Sequence, residues 1–143
     1  MIGGLAVNHW AAEPMATADV DLVIATDRIE EAVSALSGAG FTAERFEWSI
    51  NLKGRSKVSV LISSESFYHA FPARAVPADV HGILMRVASL DDTLQGKIKA
   101  WREIARRPSK RQKDVTDLMR LLEAHPHLNQ HLPADVAQRL AQA

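Results

Sequence analysis

Apolar and polar positions change period several times along the chain, and each change marks an element. Leu22, Val23 and Ile24 follow directly on Asp19-Val20-Asp21, which predicts a strand over 20–25 whose leading residues stand at the edge of the core. From Asp27 the period lengthens: Ile29, Ala32, Val33 and Leu36 share one helical face, Asp27 and Glu30 have capping-box spacing, and Gly38 with Gly40 ends the helix. Phe46, Trp48, Ile50 and Leu52 alternate with polar residues and predict a half-buried strand, with the tryptophan in the core. A turn at Gly54 leads into Val58, Val60 and Ile62, giving a hairpin. Residues 63–79 read as irregular, with a short helix over 65–71 and breaks at Pro72 and Pro77. A strand over 83–88 follows. Ser89 and Asp92 then cap a helix reaching about Ala105, and Ser109 caps a second one that carries Val115, Leu118, Met119, Leu121 and Leu122 and ends at Pro126. Pro133 opens a last short helix. Ahead of all this, Gly3-Gly4 leads into a helix over 5–12.

The 143 residues are enough for one domain with a real core, read as an α/β part over 1–88 and a helical part over 89–143 packed on it. No apolar run approaches the length of a membrane span, and no basic-then-apolar leader opens the sequence. With no cysteine there is neither a disulfide framework nor a thiolate metal site. These features make the cytoplasm the expected compartment, with no membrane partner.

Net charge is zero, but its distribution is uneven. Residues 1–60 hold eight acids and five bases, whereas residues 97–120 hold nine bases against three acids. An acidic pocket facing a basic helical segment suits a phosphate-rich ligand, and a solvated helix pair laced with ion pairs is the alternative.

The candidate chemistry sits at the first strand. Residues i and i+2 of a strand project to one face, so Asp19 and Asp21 stand side by side, close enough to share a divalent cation. Mg2+ or Mn2+ suits two carboxylates whose shell is completed by water and phosphate. Two solvated acids at a strand edge are the plainer reading. Gly3-Gly4 at a helix start lets backbone approach an anion closely.

Gly3-Gly4-Leu5-Ala6-Val7 followed by Thr17-Ala18-Asp19-Val20-Asp21-Leu22 resembles the first motif of the nucleotidyltransferase superfamily. Ser89-Leu90-Asp91-Asp92, Lys97-Ile98-Lys99-Ala100 and Arg111-Gln112-Lys113-Asp114-Val115-Thr116-Asp117-Leu118 resemble the later helical motifs of its AbiEii-type branch, known for toxins of toxin–antitoxin systems. The resemblance implies an α+β fold with a mixed sheet of four to five strands flanked by helices and a helical C-terminal segment. It implies transfer of a nucleotidyl group from a nucleoside triphosphate to an RNA, such as tRNA, or to a protein, with a cognate antitoxin as a further partner. It assigns Asp19 and Asp21 to the metal, Gly3, Gly4, Thr17, Lys97 and Lys113 to the nucleotide, and Asp19, Asp21, Lys97, Asp114 and Asp117 to catalysis. An internal salt-bridge system is the alternative for the last two acids, which three-residue spacing places on one helical face.

Three departures qualify the family pattern. The third carboxylate usual in two-metal chemistry is expected on the strand beside Asp19 and Asp21, where the outward residue is Ser59. The pattern's arginine two residues before the threonine is Met15. Only Met1 and Ile2 precede the glycines, so either the native start lies upstream or the sheet begins with a stub. Two functions stay open: an active transferase, or a degenerate fold serving as a nucleotide- or partner-binding module. His125, His127 and His131 lack regular spacing and read as a loop cluster, not a metal site.

Overall fold

The computed structural model describes all 143 residues. Four strands form the main sheet in the order β1 (Asp19–Val23), β4 (Ser59–Ser63), β3 (Ser49–Lys53), β2 (Thr42–Arg45). The β1–β4 pair is parallel and sets Asp19 opposite Ser59, Asp21 opposite Leu61 and Val23 opposite Ser63. The other two pairs are antiparallel. The sheet is therefore mixed, as expected.

Side-chain parity decides which face of this sheet is a core and which is a site. Val20, Leu22, Ile50, Leu52, Val60 and Ile62 all point one way, against Val33 and Leu36 of α2 (Ile29–Gly38). Leu52 and Ile62 are completely buried there, each stabilising the fold by about 2 kcal/mol over an exposed position. The alternate residues, Asp19, Asp21, Ser49, Asn51, Ser59, Leu61 and Ser63, necessarily share the opposite, largely polar face.

A second core joins α1 (Gly3–Trp10), α4 (Leu90–Arg102), α5 (Pro108–Ala124), a 3-10 turn over Pro126–His131 and α6 (Ala134–Ala141). It contains Val7, Leu94, Ile98, Leu118, Leu121, Leu128 and Val136. Ser89 Oγ accepts from Asp92 N at 3.1 Å and caps α4, whose first turn carries Asp91 and Asp92 and whose last turn carries Lys99 and Arg102, all favourable to the helix dipole. No helix is long and apolar enough to cross a membrane.

Several expectations need correction. The alternation from Phe46 to Leu52 is not one strand: Phe46 N donates to Ser49 O at 2.8 Å, closing a turn that leaves Phe46 and Trp48 52% and 54% exposed. An unexpected strand, β2, precedes that turn, and β3 begins only at Ser49. The stretch read as irregular holds, in place of a helix over 65–71, a 3-10 turn over Ser66–Tyr68 and a short helix α3 (Phe71–Arg74), followed by β5 (Val76–Val80), which pairs with β6 (Ile83–Val87) in a separate two-stranded ribbon. Pro77 is tolerated because a ribbon strand has a free edge, and the connecting His81 and Gly82 both take positive φ, as a tight hairpin requires. The expected capping box at Asp27 makes no side-chain cap; Thr26–Arg28 is a 3-10 turn, and Glu30 and Glu31 pair with Arg45 and Arg28 instead. Pro108, not Ser109, opens α5, with Arg107 as its cap residue. Helix α4 ends at Arg102 and α1 runs two residues earlier than expected. Met1 and Ile2 do form a stub: Ile2 N bonds Asp21 O at 2.9 Å, and Ala88 N bonds Met1 O at 2.9 Å.

Candidate active site

The polar face of β1 meets the start of α1 at a single point of close approach. Gly3 has φ +68°, and a Cβ there would lie 2.1 Å from Asp21 Oδ2, so the backbone and the carboxylate occupy space that no other residue type would leave free. Burial, reinforced by the neighbouring Asp19 charge, pushes the Asp21 carboxyl above its ordinary range, and the Lys97, Lys110 and Arg106 charges only partly oppose this. Asp19 is at the rim, where Lys110 of α5 reaches its Oδ2 at 3.1 Å.

Beside the acids, three further groups gather at the start of α1. A Cβ on Gly4 would sit 3.6 Å from Thr17 Oγ1 and 3.8 Å from Lys113 Nζ, so the second glycine, the threonine and a lysine from α5 converge on the first turn of α1. Lys113 makes no ion pair. Thr17 Oγ1 accepts from Asp19 N at 3.3 Å, and the preceding segment is clamped by Asn8, whose amide donates to Met15 O at 2.8 Å and accepts from Met15 N at 2.9 Å. The Met15 position thus contributes backbone, not charge.

A cleft of about 260 Å³ opens on the other side of Asp21, between the sheet and α4. Its walls include Asp21, Trp48, Leu61, Ser63, Tyr68 and Phe71 on one side and Thr93, Gly96, Lys97, Lys99, Glu103 and Arg106 on the other. Burial and the Glu65, Glu103 and Asp21 charges push the Tyr68 phenol up to about 12, so it stays protonated at neutral pH.

Beneath this cleft runs a buried ion network. Lys97 Nζ is 2.7 Å from Asp117 Oδ2 and 3.4 Å from Asp114 Oδ1; Arg106 Nη2 holds Asp114 Oδ1 at 3.0 Å, and Arg120 Nη1 holds Asp117 Oδ1 at 3.0 Å. Both aspartates are completely buried. Asp117 Oδ2 has no well-angled hydrogen bond, so the Lys97 charge alone compensates it. Arg120 continues outward to Asn8 Oδ1 at 2.8 Å, which links the network to the Met15 clamp.

The structure therefore brings Gly3, Gly4, Thr17, Lys113, Asp19 and Asp21 together, with Lys97 on the far side of Asp21. It sets Asp114 and Asp117 behind Lys97, off the cleft wall, in the arrangement of the salt-bridge alternative. Facing β1, strand β4 offers only Ser59, Leu61 and Ser63, and no set of three or more carboxylate or imidazole ligands gathers anywhere in the chain. Glu47 is exposed in the β2–β3 turn. His125 Nε2 is engaged with Trp10 O at 2.7 Å.

The basic stretch is not a free cationic face. Of its nine bases, Lys97, Lys99, Arg102, Arg106, Lys110 and Arg120 pair with acids, and Arg111 donates to Trp101 O. Arg107 and Lys113 alone remain unengaged. The network role of Arg106 and Arg120 carried no motif signal beyond their place in a basic run. Asn8, Tyr68 and Trp48 also escaped sequence reasoning, since nothing local told Trp48 apart from a core residue.

Solved structures with this fold include the lincosamide antibiotic adenylyltransferase LnuA in its lincomycin-bound form, at 11% identity and TM-score 0.57, covering 83% of this chain and 84% of that one. The antibiotic-resistance factor ANT(2'')-Ia aligns at 14% identity and TM-score 0.61 over 97% of this chain and 77% of that one. An antigenic nucleotidyltransferase-like protein from Paracoccidioides brasiliensis aligns at 19% identity and TM-score 0.55 over 99% and 76%. At these identities the likeness shows the fold alone. No curated protein matches the sequence significantly. The family model described as nucleotidyl transferase AbiEii toxin, type IV toxin–antitoxin system, matches residues 1–143, and with the mixed sheet, the glycine turn and the paired aspartates in place, the chain belongs to the AbiEii nucleotidyltransferase family.

Proposed function

We propose that this protein binds a nucleoside triphosphate with a divalent cation and transfers its nucleotidyl group to an RNA, such as tRNA, or a protein acceptor, as the toxin of a toxin–antitoxin pair. The observation that carries this reading is the contact of Asp21 with Gly3, which puts a carboxylate pair and a helix N-terminus in one place. Two like-charged carboxylates on one strand face, one of them desolvated, are relieved by a hard cation, so Asp19 and Asp21 fit Mg2+ or Mn2+. Bound there, the cation would neutralise charge on the triphosphate oxygens.

The remaining work falls to the chain's own groups. The N–H groups of the α1 start and the free Lys113 ammonium take the phosphates, with the Thr17 hydroxyl beside them. Lys97 faces the cleft and is held there by Asp114 and Asp117, which we read as positioning residues because both are fully buried behind Lys97 and off the cleft wall. In the transfer, an acceptor hydroxyl oxygen bonds the α-phosphorus as its proton passes to water, the bond from that phosphorus to the bridging oxygen breaks, and pyrophosphate leaves with the electron pair.

The β4 face favours a second reading. With Ser59, Leu61 and Ser63 where a third carboxylate is needed, the activating side of the site lacks a charged ligand, so binding outlasts turnover and the protein acts as a nucleotide- or partner-binding module. Transfer of label from α-32P triphosphates to tRNA or total protein, compared between the native chain and Ser59→Asp, separates the two. A slow native rate raised at least about tenfold in Ser59→Asp, equivalent to about 1.4 kcal/mol of barrier, supports the missing-ligand account. Fast native transfer would assign that role to another group.

A further inference from the structure

We propose that Trp48 is a stacking platform for a nucleobase at the mouth of the cleft, an inference that rests on the nucleotide-binding reading above. Trp48 is 54% exposed and lines the same cleft as Asp21 and Lys97. Its backbone is pinned at two points: the Phe46–Ser49 hydrogen bond closes the turn that carries it, and Ser64 N donates to Trp48 O at 2.9 Å, joining the turn to the end of β4. A large apolar ring held in water by a fixed backbone is costly unless something covers it.

The other aromatic rings of the cleft and the two other tryptophans already have partners, whereas Phe46, exposed in the same turn, does not line the cleft. Tyr68 and Phe71 pack edge to face at 5.2 Å, and Phe67 contacts both. Trp10 donates its indole N–H to Ala88 O, and Trp101 lies under the Arg111 guanidinium. Trp48 alone among the cleft-lining rings has no ring or cation partner.

Charge then orients the ligand. The cations on the cleft wall are spent: Lys97 on Asp114 and Asp117, Lys99 on Glu65, Arg106 on Asp114. The free cation near the site is Lys113, on the Gly4 side of Asp21. Phosphates therefore belong with Gly4 and Lys113, and the planar end of the ligand with Trp48, with Asp21 between them. A cleft of about 260 Å³ admits a base and its sugar but no helix of nucleic acid. A base could come from the triphosphate or from an unpaired acceptor nucleotide, and stacking serves either because every base has a π-face.

The test measures binding of ATP, CTP, GTP, UTP and inorganic tripolyphosphate with Mg2+ to the native chain, Trp48→Ala and Trp48→Phe, followed by indole fluorescence and by calorimetry. It adds transfer kinetics with tRNA as acceptor. If the base is the triphosphate's, Trp48→Ala weakens triphosphate binding about 5- to 100-fold, leaves tripolyphosphate unchanged, and Trp48→Phe restores most of the loss. If the base is the acceptor's, Trp48→Ala leaves triphosphate binding intact and raises KM for tRNA by a similar factor. Unchanged binding together with unchanged KM in a folded Trp48→Ala protein would overturn the platform while leaving the nucleotide site standing. Failure of the native chain to bind any triphosphate would remove the site itself and the platform with it.

Discussion

Lys97→Met should destabilise the fold by about 3 kcal/mol, because it removes a charge and keeps the aliphatic stem. At an effective dielectric of about 20, the Lys97 contacts at 2.7 and 3.4 Å are worth gross attractions of about 6 and about 5 kcal/mol, offset by several kcal/mol of desolvation for each buried ion. Removing one partner of a buried pair costs about 3–5 kcal/mol, and the lower end applies here because Asp114 keeps Arg106 and Asp117 Oδ1 keeps Arg120. The remainder comes from Asp117 Oδ2, which has no second partner. Thermal and urea unfolding read the effect, expected as a fall in Tm of about 10 °C for a chain of this size. Lys97→Met combined with Asp117→Leu should lose less than Lys97→Met alone, since the orphaned charge leaves with its partner. A single-variant loss below about 1 kcal/mol, or strict additivity in the pair, would refute the claim that Lys97 is anchored by the network.

Two further outcomes follow from the Asp21 contact. Gly3→Ala forces a side chain into the left-handed region, costing about 1–2 kcal/mol, and drives Asp21 out of its position; a lower Tm with loss of Mg2+-dependent triphosphate binding checks it. Burial and the Asp19 charge make Asp21 hold its proton more tightly folded than unfolded, so stability is lost as pH rises through its raised pKa. Asp21→Asn should therefore melt above the native protein at pH 7 without divalent ions, with the gap closing below the ordinary aspartate range, and a lower Tm at pH 7 would count against this.

The elements legible in the sequence were those whose signal is local and redundant. The α4 cap needed only Ser89 and Asp92, and the parity of Val20, Leu22, Val60 and Ile62 was enough to turn Asp19, Asp21 and Ser59 to one face. That β4 lies beside β1 followed from chain order and the family pattern; that the pair is parallel came only from the structure. What escaped depended on tertiary context. Pro77 looked like a break because a sequence does not show that its strand has a free edge, and Trp48 continued an alternation that the Phe46–Ser49 hydrogen bond interrupts. The charge asymmetry was visible, but not its use: ion pairing across α4, α5 and β1 turns the basic segment expected to face a phosphate-rich ligand largely into internal wiring. Asp114 and Asp117 carried a spacing equally suited to a site and to a network, and only their burial against Lys97 separated the two.

The central claim is that Asp19 and Asp21, set against the glycine start of α1, form a cation-dependent triphosphate site. Calorimetric titration of each of the four nucleoside triphosphates into the chain, with Mg2+ and with chelator, tests it most directly, alongside Asp19→Asn combined with Asp21→Asn. Saturable binding should need Mg2+ and disappear in the double variant while its fold is retained. Equal affinity with and without Mg2+, or undiminished affinity in the double variant, would contradict it.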